Sequence, residues 1–148
     1  MGEPSLSCGL LEDTESYRFL WLPSFRNSVA IRVFRGSDDY GLEAVILDGP
    51  GRYDPKAGRY DPAHVSRCVT RALSRDEWQT VIARLEEVQF WQMTTTGGNL
   101  GLDGAEWIVE ARRHGRYHIV DRWGGSDSAL GSLGRLFINL ADLKAVRS

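Results

Sequence analysis

Residues 101–123 read GLDGAEWIVEARRHGRYHIVDRW, and this stretch decides the fold. Two runs rich in β-branched and aromatic residues flank the pair His114-Gly115. Such a pair is typical of a two-residue turn, so the pattern predicts a β-hairpin. With only these two residues in the turn, Ala111 faces His118 and Trp107 faces Arg122. A slip of one residue would move every side chain to the opposite face.

This register sorts the hairpin into two faces, because strand side chains alternate. One face is apolar and includes Trp107, Val109 and Val120. His118 shares that face, and we interpret it as a hydrogen-bonded core histidine. The other face mixes three carboxylates, an arginine and two aromatic residues around two isoleucines: Glu106, Ile108, Glu110, Arg112, Tyr117, Ile119, Asp121 and Trp123. This mixed face is a candidate functional surface.

The hairpin resembles a widespread set of small uncharacterised bacterial proteins, several of which look like lipoproteins. The resemblance is carried by Asp103-Gly104, Trp107, Glu110, Gly115, Tyr117-His118, Val120 and Arg122-Trp123. It extends back to Phe90-Trp91 and the helix before that pair, and more faintly to the N-terminal strands. It departs after Trp123, where Gly124-Gly125 replaces an expected Ser-Pro. The resemblance implies one coherent domain and no transferable activity.

Composition excludes several classes of protein. At 148 residues with 42% hydrophobic and 26% charged side chains, the chain suits one folded domain, and no apolar run is long enough to span a membrane. The net charge of −2 argues against general nucleic-acid binding, which needs a basic footprint. Cys8 and Cys68 are far apart and accompany only three histidines, so we predict no metal site and no cofactor. Cys68 is predicted to be buried.

The N-terminus predicts a flexible arm over residues 1–16 and a single domain over 17–148. The arm is polar and acidic. Ser5-Leu6-Ser7 before Cys8 faintly resembles a lipoprotein cleavage box, but no charged and apolar signal region precedes it. We therefore expect either a cytoplasmic protein or a sequence that lacks its leader.

The remaining elements predict an α+β fold. Three runs, 17–22, 29–35 and 42–48, read as an antiparallel meander, and 65–73 reads as a fourth strand. Ser74 and Glu77 form a capping-box pattern before a helix near 75–90, and an apolar stripe predicts a second helix near 128–143. Gly131 and Gly134 weaken this helix but would let it approach the sheet closely. We expect an antiparallel sheet of about six strands with two helices packed against it.

One internal repeat lies between the third and fourth strands: Gly51-Arg52-Tyr53-Asp54-Pro55 recurs as Gly58-Arg59-Tyr60-Asp61-Pro62. Its composition predicts a loop. The repeat is either a duplication tolerated at an exposed tip, where extra length has little effect on stability, or a binding loop. The second interpretation rests on tyrosine and arginine, which are frequent in interface hot spots.

Two functions from different classes fit this sequence. The first is a non-catalytic protein-binding module that uses both candidate surfaces, with contact residues Arg52, Tyr53, Arg59, Tyr60, Glu106, Glu110, Arg112, Tyr117, Asp121 and Trp123. Its partner is another protein, and the acidic side chains favour a basic one. A bacterial immunity protein that neutralises a basic toxin domain is one concrete class.

The alternative is a small hydrolase that uses Glu110 and Asp121, because clustered carboxylates raise one another's pKa and so create an acid and a base. The mixed face is also compatible with a plain solvated sheet whose charges pair across strands. The sequence holds no nucleophile elbow and no dinucleotide fingerprint, so we assign no catalytic residue. A deep pocket over this face would favour the enzyme, and a flat face would favour binding.

Overall fold

The structure is a computed structural model that describes residues 15–49, 51–98, 101, 104–125 and 128–143. Within these residues it contains two helices, a seven-stranded sheet and a separate two-stranded sheet. The elements are β1 Glu15–Pro23, β2 Val29–Arg35, β3 Tyr40–Leu47, β4 Arg52–Asp54, β5 Arg59–Asp61, β6 Val65–Leu73, α1 Arg75–Glu87, β7 Thr96–Gly97, β8 Ala105–Arg113, β9 Arg116–Trp123 and α2 Ala129–Leu140. A short 3-10 turn, Phe90–Gln92, follows α1.

The predicted α+β fold is confirmed, with seven strands in the main sheet instead of about six. The additional strand is β7, which pairs in parallel with β9 over two residues; the other neighbours are antiparallel. β1 begins at Glu15, two residues earlier than the sequence predicted. The rest of the predicted N-terminal arm lies outside the described residues. Neither α1 nor α2, the helices of the described ranges, has the length and apolar character needed to cross a bilayer.

The main sheet has the strand order β6-β3-β2-β1-β8-β9-β7, so the first strand is the central one. β1, β2 and β3 form the predicted meander, and the predicted fourth strand, β6, pairs with β3. β8 pairs with the other side of β1. The β8–β9 register agrees with the prediction, with Trp107 opposite Arg122. His114 and Gly115 both have positive φ, +49° and +73°, as a tight turn matched to strand twist requires.

Both helices pack on the same face of the sheet and form the core there. Phe19 of β1 lies 6.1 Å from Phe137 of α2 and 5.4 Å from Trp107 of β8, between ring centroids. A Cβ atom added to Gly134 would lie 2.7 Å from ring atoms of Phe19 and Trp107. Glycine at this position therefore permits the close approach of α2 that the sequence predicted.

Capping residues determine where the two helices begin. Ser74 accepts a hydrogen bond at Oγ from the Glu77 amide (3.1 Å), and the Glu77 carboxylate accepts one from the Ser74 amide (2.8 Å). The capping box is thus confirmed. Ser128 caps α2 by accepting from the Gly131 amide.

Two predictions about the β3–β6 region were wrong. Cys68 is exposed rather than buried, because β6 is an edge strand and Cys68 faces away from the helices, opposite Val45. The repeat is not an irregular loop: its two Arg-Tyr-Asp segments are β4 and β5.

Candidate functional site

The sheet face opposite the two helices carries most of the candidate residues, and we call it the open face. Strand alternation and the observed register place on it the even-numbered side chains of β1, β2 and β8 and the odd-numbered side chains of β3 and β9. All six candidates of the β8–β9 hairpin are among them: Glu106, Glu110, Arg112, Tyr117, Asp121 and Trp123.

A buried ion pair lies at the centre of the open face. Arg18 donates from Nε to Oε2 of Glu110 at 2.6 Å, and its terminal nitrogen contacts the same oxygen. Tyr117 donates from its hydroxyl to the other carboxylate oxygen, Oε1, at 2.8 Å. The side chains of Arg18 and Glu110 are only 9% and 5% exposed. Because donors occupy both of its oxygens, Glu110 is poorly placed to accept a proton from a substrate.

Arg18 is a site residue that the sequence analysis missed. It alternates with the core residues Tyr17 and Phe19 in β1, which already assigned it to the opposite face. The sequence did not indicate that β1 pairs with β8. This pairing brings Arg18 opposite Glu110, although the two residues are 92 positions apart in the chain.

The same cross-strand row continues with a second ion pair. Arg32 of β2 donates to Glu43 of β3 at 2.6 Å, and its guanidinium lies 5.1 Å from the ring centroid of Phe34. The register therefore lines up Glu43, Arg32, Arg18 and Glu110 across four strands. The Arg32 and Glu43 side chains are 28% and 36% exposed, so this pair is considerably wetter than the central one.

The next row of the open face is apolar. Val45, Ala30, Leu20 and Ile108 face one another in turn across β3, β2, β1 and β8. Asp121 of β9 follows Ile108 in the same row. A strip of aliphatic side chains thus crosses the sheet and ends at a carboxylate.

Glu106 and Asp121 form a carboxyl pair at that end of the strip. Burial raises the pKa of Glu106, and a hydrogen bond and charge repulsion from Asp121 raise this pKa further. The expectation that clustered carboxylates perturb each other therefore holds for Glu106. Trp123 is the direct cross-strand neighbour of Glu106, and its indole ring lies against Gly104.

The other predicted surface, the repeat, forms a second hairpin. The segments pair as Arg52 with Asp61, Tyr53 with Tyr60 and Asp54 with Arg59. This register places an arginine opposite an aspartate in both outer pairs and the tyrosines side by side, although an ion pair in the hairpin joins Arg59 to Asp61 of the same strand at 3.1 Å. We call β4, β5 and the turn between them the repeat hairpin.

The repeat hairpin is closed at both ends by aspartates and presents its aromatic pair to solvent. Asp54 accepts from the amides of Lys56 and Ala57 (2.8 and 3.2 Å), which fixes the turn. At the base, the Asp48 amide donates to the His64 carbonyl, and the His64 amide donates to the Asp48 carboxylate. Tyr53 and Tyr60 are 63% and 62% exposed.

The two surfaces predicted from the sequence, the repeat hairpin and the mixed face of the β8–β9 hairpin, lie apart in the structure. The repeat hairpin extends from the β3–β6 side of the sheet, whereas Glu106 and Asp121 lie on β8 and β9. β2 and β1 stand between β3 and β8, so at ~4.8 Å per strand the surfaces are about 14 Å or more apart. The candidate residues therefore belong to two separate sites.

His118 is a core residue, as the sequence predicted. It is partly buried, donates from Nε2 to the Met93 carbonyl at 2.9 Å, and lies 5.1 Å from the Phe90 ring centroid. This geometry stabilises the segment after α1 and gives the histidine a structural role.

Two open pockets are lined by residues other than the candidate carboxylates. One, of about 390 Å³, is lined by Trp21, Trp107 and the exposed Phe25 among others. The second, of about 420 Å³, lies beside Trp91 and Arg116, whose guanidinium stacks 4.7 Å from the Trp91 ring centroid. Neither pocket is lined by Glu106, Glu110 or Asp121. Among the described residues, no group of three metal-ligating side chains is found.

Comparison with protein-family models, curated proteins and solved structures finds no match for this chain. The resemblance to small bacterial proteins therefore stays a prediction, and function is argued from the geometry.

Proposed function

We propose that this chain is a non-catalytic protein-binding module whose open face contacts a basic partner protein. The observation that supports it best is the strip formed by Val45, Leu20 and Ile108, which leads to the Glu106–Asp121 pair on a face that neither helix covers. Aliphatic surface favours association by leaving water, and the carboxyl pair at its end selects for positive charge.

The carboxyl pair explains why the partner is basic. Burial raises the pKa of Glu106, and the hydrogen bond and charge repulsion from the neighbouring Asp121 raise it further. An arginine or lysine of the partner would relieve the repulsion between the two carboxylates. Trp123, next to Glu106, offers an aromatic surface for the same cation.

Internal pairing removes the other charged candidates from this contact. Glu110 accepts hydrogen bonds from both Arg18 and Tyr117, and Arg112 belongs to the row on the far side of that ion pair. The repeat hairpin forms a separate two-stranded sheet between β3 and β6. The contact proposed here is therefore smaller than the one expected from sequence and centres on Glu106, Asp121 and Trp123.

A bacterial immunity protein bound to a basic toxin domain is the concrete form of this proposal. Its support is the small size, the net charge of −2 and the acidic pair on the open face. Such inhibitors depend on fast association, which acidic side chains promote by steering a basic partner.

A small hydrolase is the second candidate, and the raised pKa of Glu106 is the observation that favours it. A protonated Glu106 beside an ionised Asp121 would form an acid and base pair. Against it, Glu110 is engaged in its internal ion pair, and neither of the pockets described above includes these carboxylates.

The test begins with a partner captured from the native host and purified, whose association rate is then measured at several salt concentrations. The double variant Glu106→Gln, Asp121→Asn should lower the association rate constant and flatten its salt dependence. Glu87→Gln, which removes one charge from α1 on the other side of the sheet, should leave both unchanged. An unchanged rate in the double variant would refute the proposal, and turnover of a substrate that disappears with Glu106→Gln would establish the hydrolase instead.

A further inference from the structure

The two long edges of the main sheet differ. At the β9 side, β7 pairs with part of the strand, and Arg122 donates to the carbonyl oxygens of Thr94 and Thr95. At the other side β6 is nine residues long and pairs, within the described residues, only with β3. From this edge we propose that β6 binds an extended, acidic segment of a partner protein as an additional antiparallel or parallel strand.

The backbone of β6 supplies the pairing groups. An edge strand presents a row of N–H and C=O groups on its outer side, and these are a template for another strand. The side chains of β6 do not shield that row: Val65 is 58% exposed, and Ser66, Arg67 and Cys68 are also exposed. β6 is therefore long enough and open enough for strand addition.

Charge selects an acidic occupant. Residues 52–73, which comprise the repeat hairpin and β6, hold five arginine or lysine side chains and two aspartates, a net charge of +3 in a chain whose total is −2. Arg71 is already engaged with the Glu77 carboxylate and the Leu140 carbonyl. Arg67 makes no ion pair or side-chain hydrogen bond with any described residue. A carboxylate placed opposite Arg67 on an added strand would give it a cross-strand partner.

The same arginines disfavour the simplest self-pairing. If two copies of β6 paired antiparallel about Val69, Arg67 of one copy would face Arg71 of the other. Like charges directly opposite each other destabilise a sheet. Arginine on an edge strand thus acts against a second copy and in favour of an acidic strand.

The repeat hairpin stands at the N-terminal end of this edge, separated from β6 by residues 62–64. It adds the exposed pair Tyr53 and Tyr60, with Arg52 and Lys56, which make no ion pair with described residues. Exposed tyrosines and arginines are frequent binding anchors. The hairpin therefore extends the proposed site beyond the backbone pairing and gives the repeat a role in recognition.

The test uses the full chain labelled with ¹⁵N and a nine-residue peptide of alternating threonine and glutamate. We expect a dissociation constant of about 1 mM or tighter, with amide shifts concentrated in β6 and the repeat hairpin. Two matched peptides serve as probes of mechanism: one in which lysine replaces glutamate, and one N-methylated at every residue. Neither should bind, because the first has the wrong charge and the second cannot form the ladder.

Variants separate this site from the open face. Arg67→Glu should weaken binding of the acidic peptide about fivefold. Arg84→Glu on α1, with the same change in net charge, should leave the affinity for the peptide unchanged. The double variant Glu106→Gln, Asp121→Asn should bind the peptide normally, so failure here leaves the open-face proposal standing. The proposal is overturned if the acidic peptide does not bind, if its N-methylated form binds equally, or if shifts lie elsewhere. It is also overturned if β6 amides shift on dilution of the protein alone, which would mean that a second copy occupies the edge.

Discussion

Replacing Glu110 with glutamine tests whether the centre of the open face is structural. The substitution keeps the shape of the side chain and removes its charge, so the Arg18 guanidinium loses the carboxylate that it contacts at a position only 9% exposed. Breaking one partner of a buried ion pair typically destabilises a protein by ~3–5 kcal/mol. Glutamine still offers one oxygen to Arg18 or Tyr117, so we expect the lower end, about 3 kcal/mol.

The chain offers a matched control in the same row of the sheet. Glu43 pairs with Arg32 in the same cross-strand geometry, but these side chains are 28% and 36% exposed. Water screens such a pair, so Glu43→Gln should cost less than about 1 kcal/mol. The double variant Arg18→Met, Glu110→Leu should recover most of the loss, because it leaves no unpaired charge in the sheet.

Urea unfolding followed by circular dichroism measures all four proteins, and equal slopes with denaturant make their midpoints comparable. If Glu110→Gln destabilises no more than Glu43→Gln, then Glu110 is not held as an internal ion pair, and its availability to a partner or a substrate must be reconsidered. A double variant worse than Glu110→Gln alone would contradict the reasoning about the unpaired charge.

Three further predictions concern the core and the carboxyl pair. Trp107→Ala should destabilise by roughly 3–5 kcal/mol in the same assay, because Trp107 is 7% exposed and packs on Phe19. Gly134→Ala should destabilise by about 1–3 kcal/mol, since its methyl group would meet the rings of Phe19 and Trp107; a stabilised variant would show that α2 stands further from the sheet. Glu106→Gln should raise the melting temperature at pH 7. Because the pKa of Glu106 is raised in the folded state, its protonated form stabilises the fold, and this stabilisation is lost as pH rises through that pKa. The difference in melting temperature between Glu106→Gln and the parent should therefore vanish below about pH 4.

Features that depend on neighbours in the sequence could be predicted. The turn at His114-Gly115 needs two residues that tolerate positive φ, and the start of α1 needs a serine three positions before a glutamate. Both signals lie within a few residues, so the hairpin register and the helix start followed from them. His118 on the apolar side of that register could likewise be assigned to the core.

Features that depend on distant pairing could not be predicted. The Arg18–Glu110 ion pair requires β1 to lie beside β8, and nothing local to either strand indicates that choice. The exposure of Cys68 could not be predicted for the same reason. Edge strands and inner strands can have similar sequences, so the position of β6 at the edge of the sheet could not be inferred from its residues. The repeat hairpin, in contrast, could have been predicted from the sequence. Two antiparallel copies of Arg-Tyr-Asp place an arginine opposite an aspartate at two positions.

Topology also decides what the net charge of the chain means. The net charge of −2 argued against a surface that is basic throughout. It is, however, the sum of a basic segment, residues 52–73 with a charge of +3, and an acidic remainder. The edge strand β6 and the Glu106–Asp121 pair are separated by β3, β2 and β1, about 19 Å or more, which exceeds the ~8 Å screening length at physiological salt. Under the two proposals, each surface would therefore attract its own partner with little interference from the other. A basic partner on the open face would then be compatible with an acidic strand paired with β6.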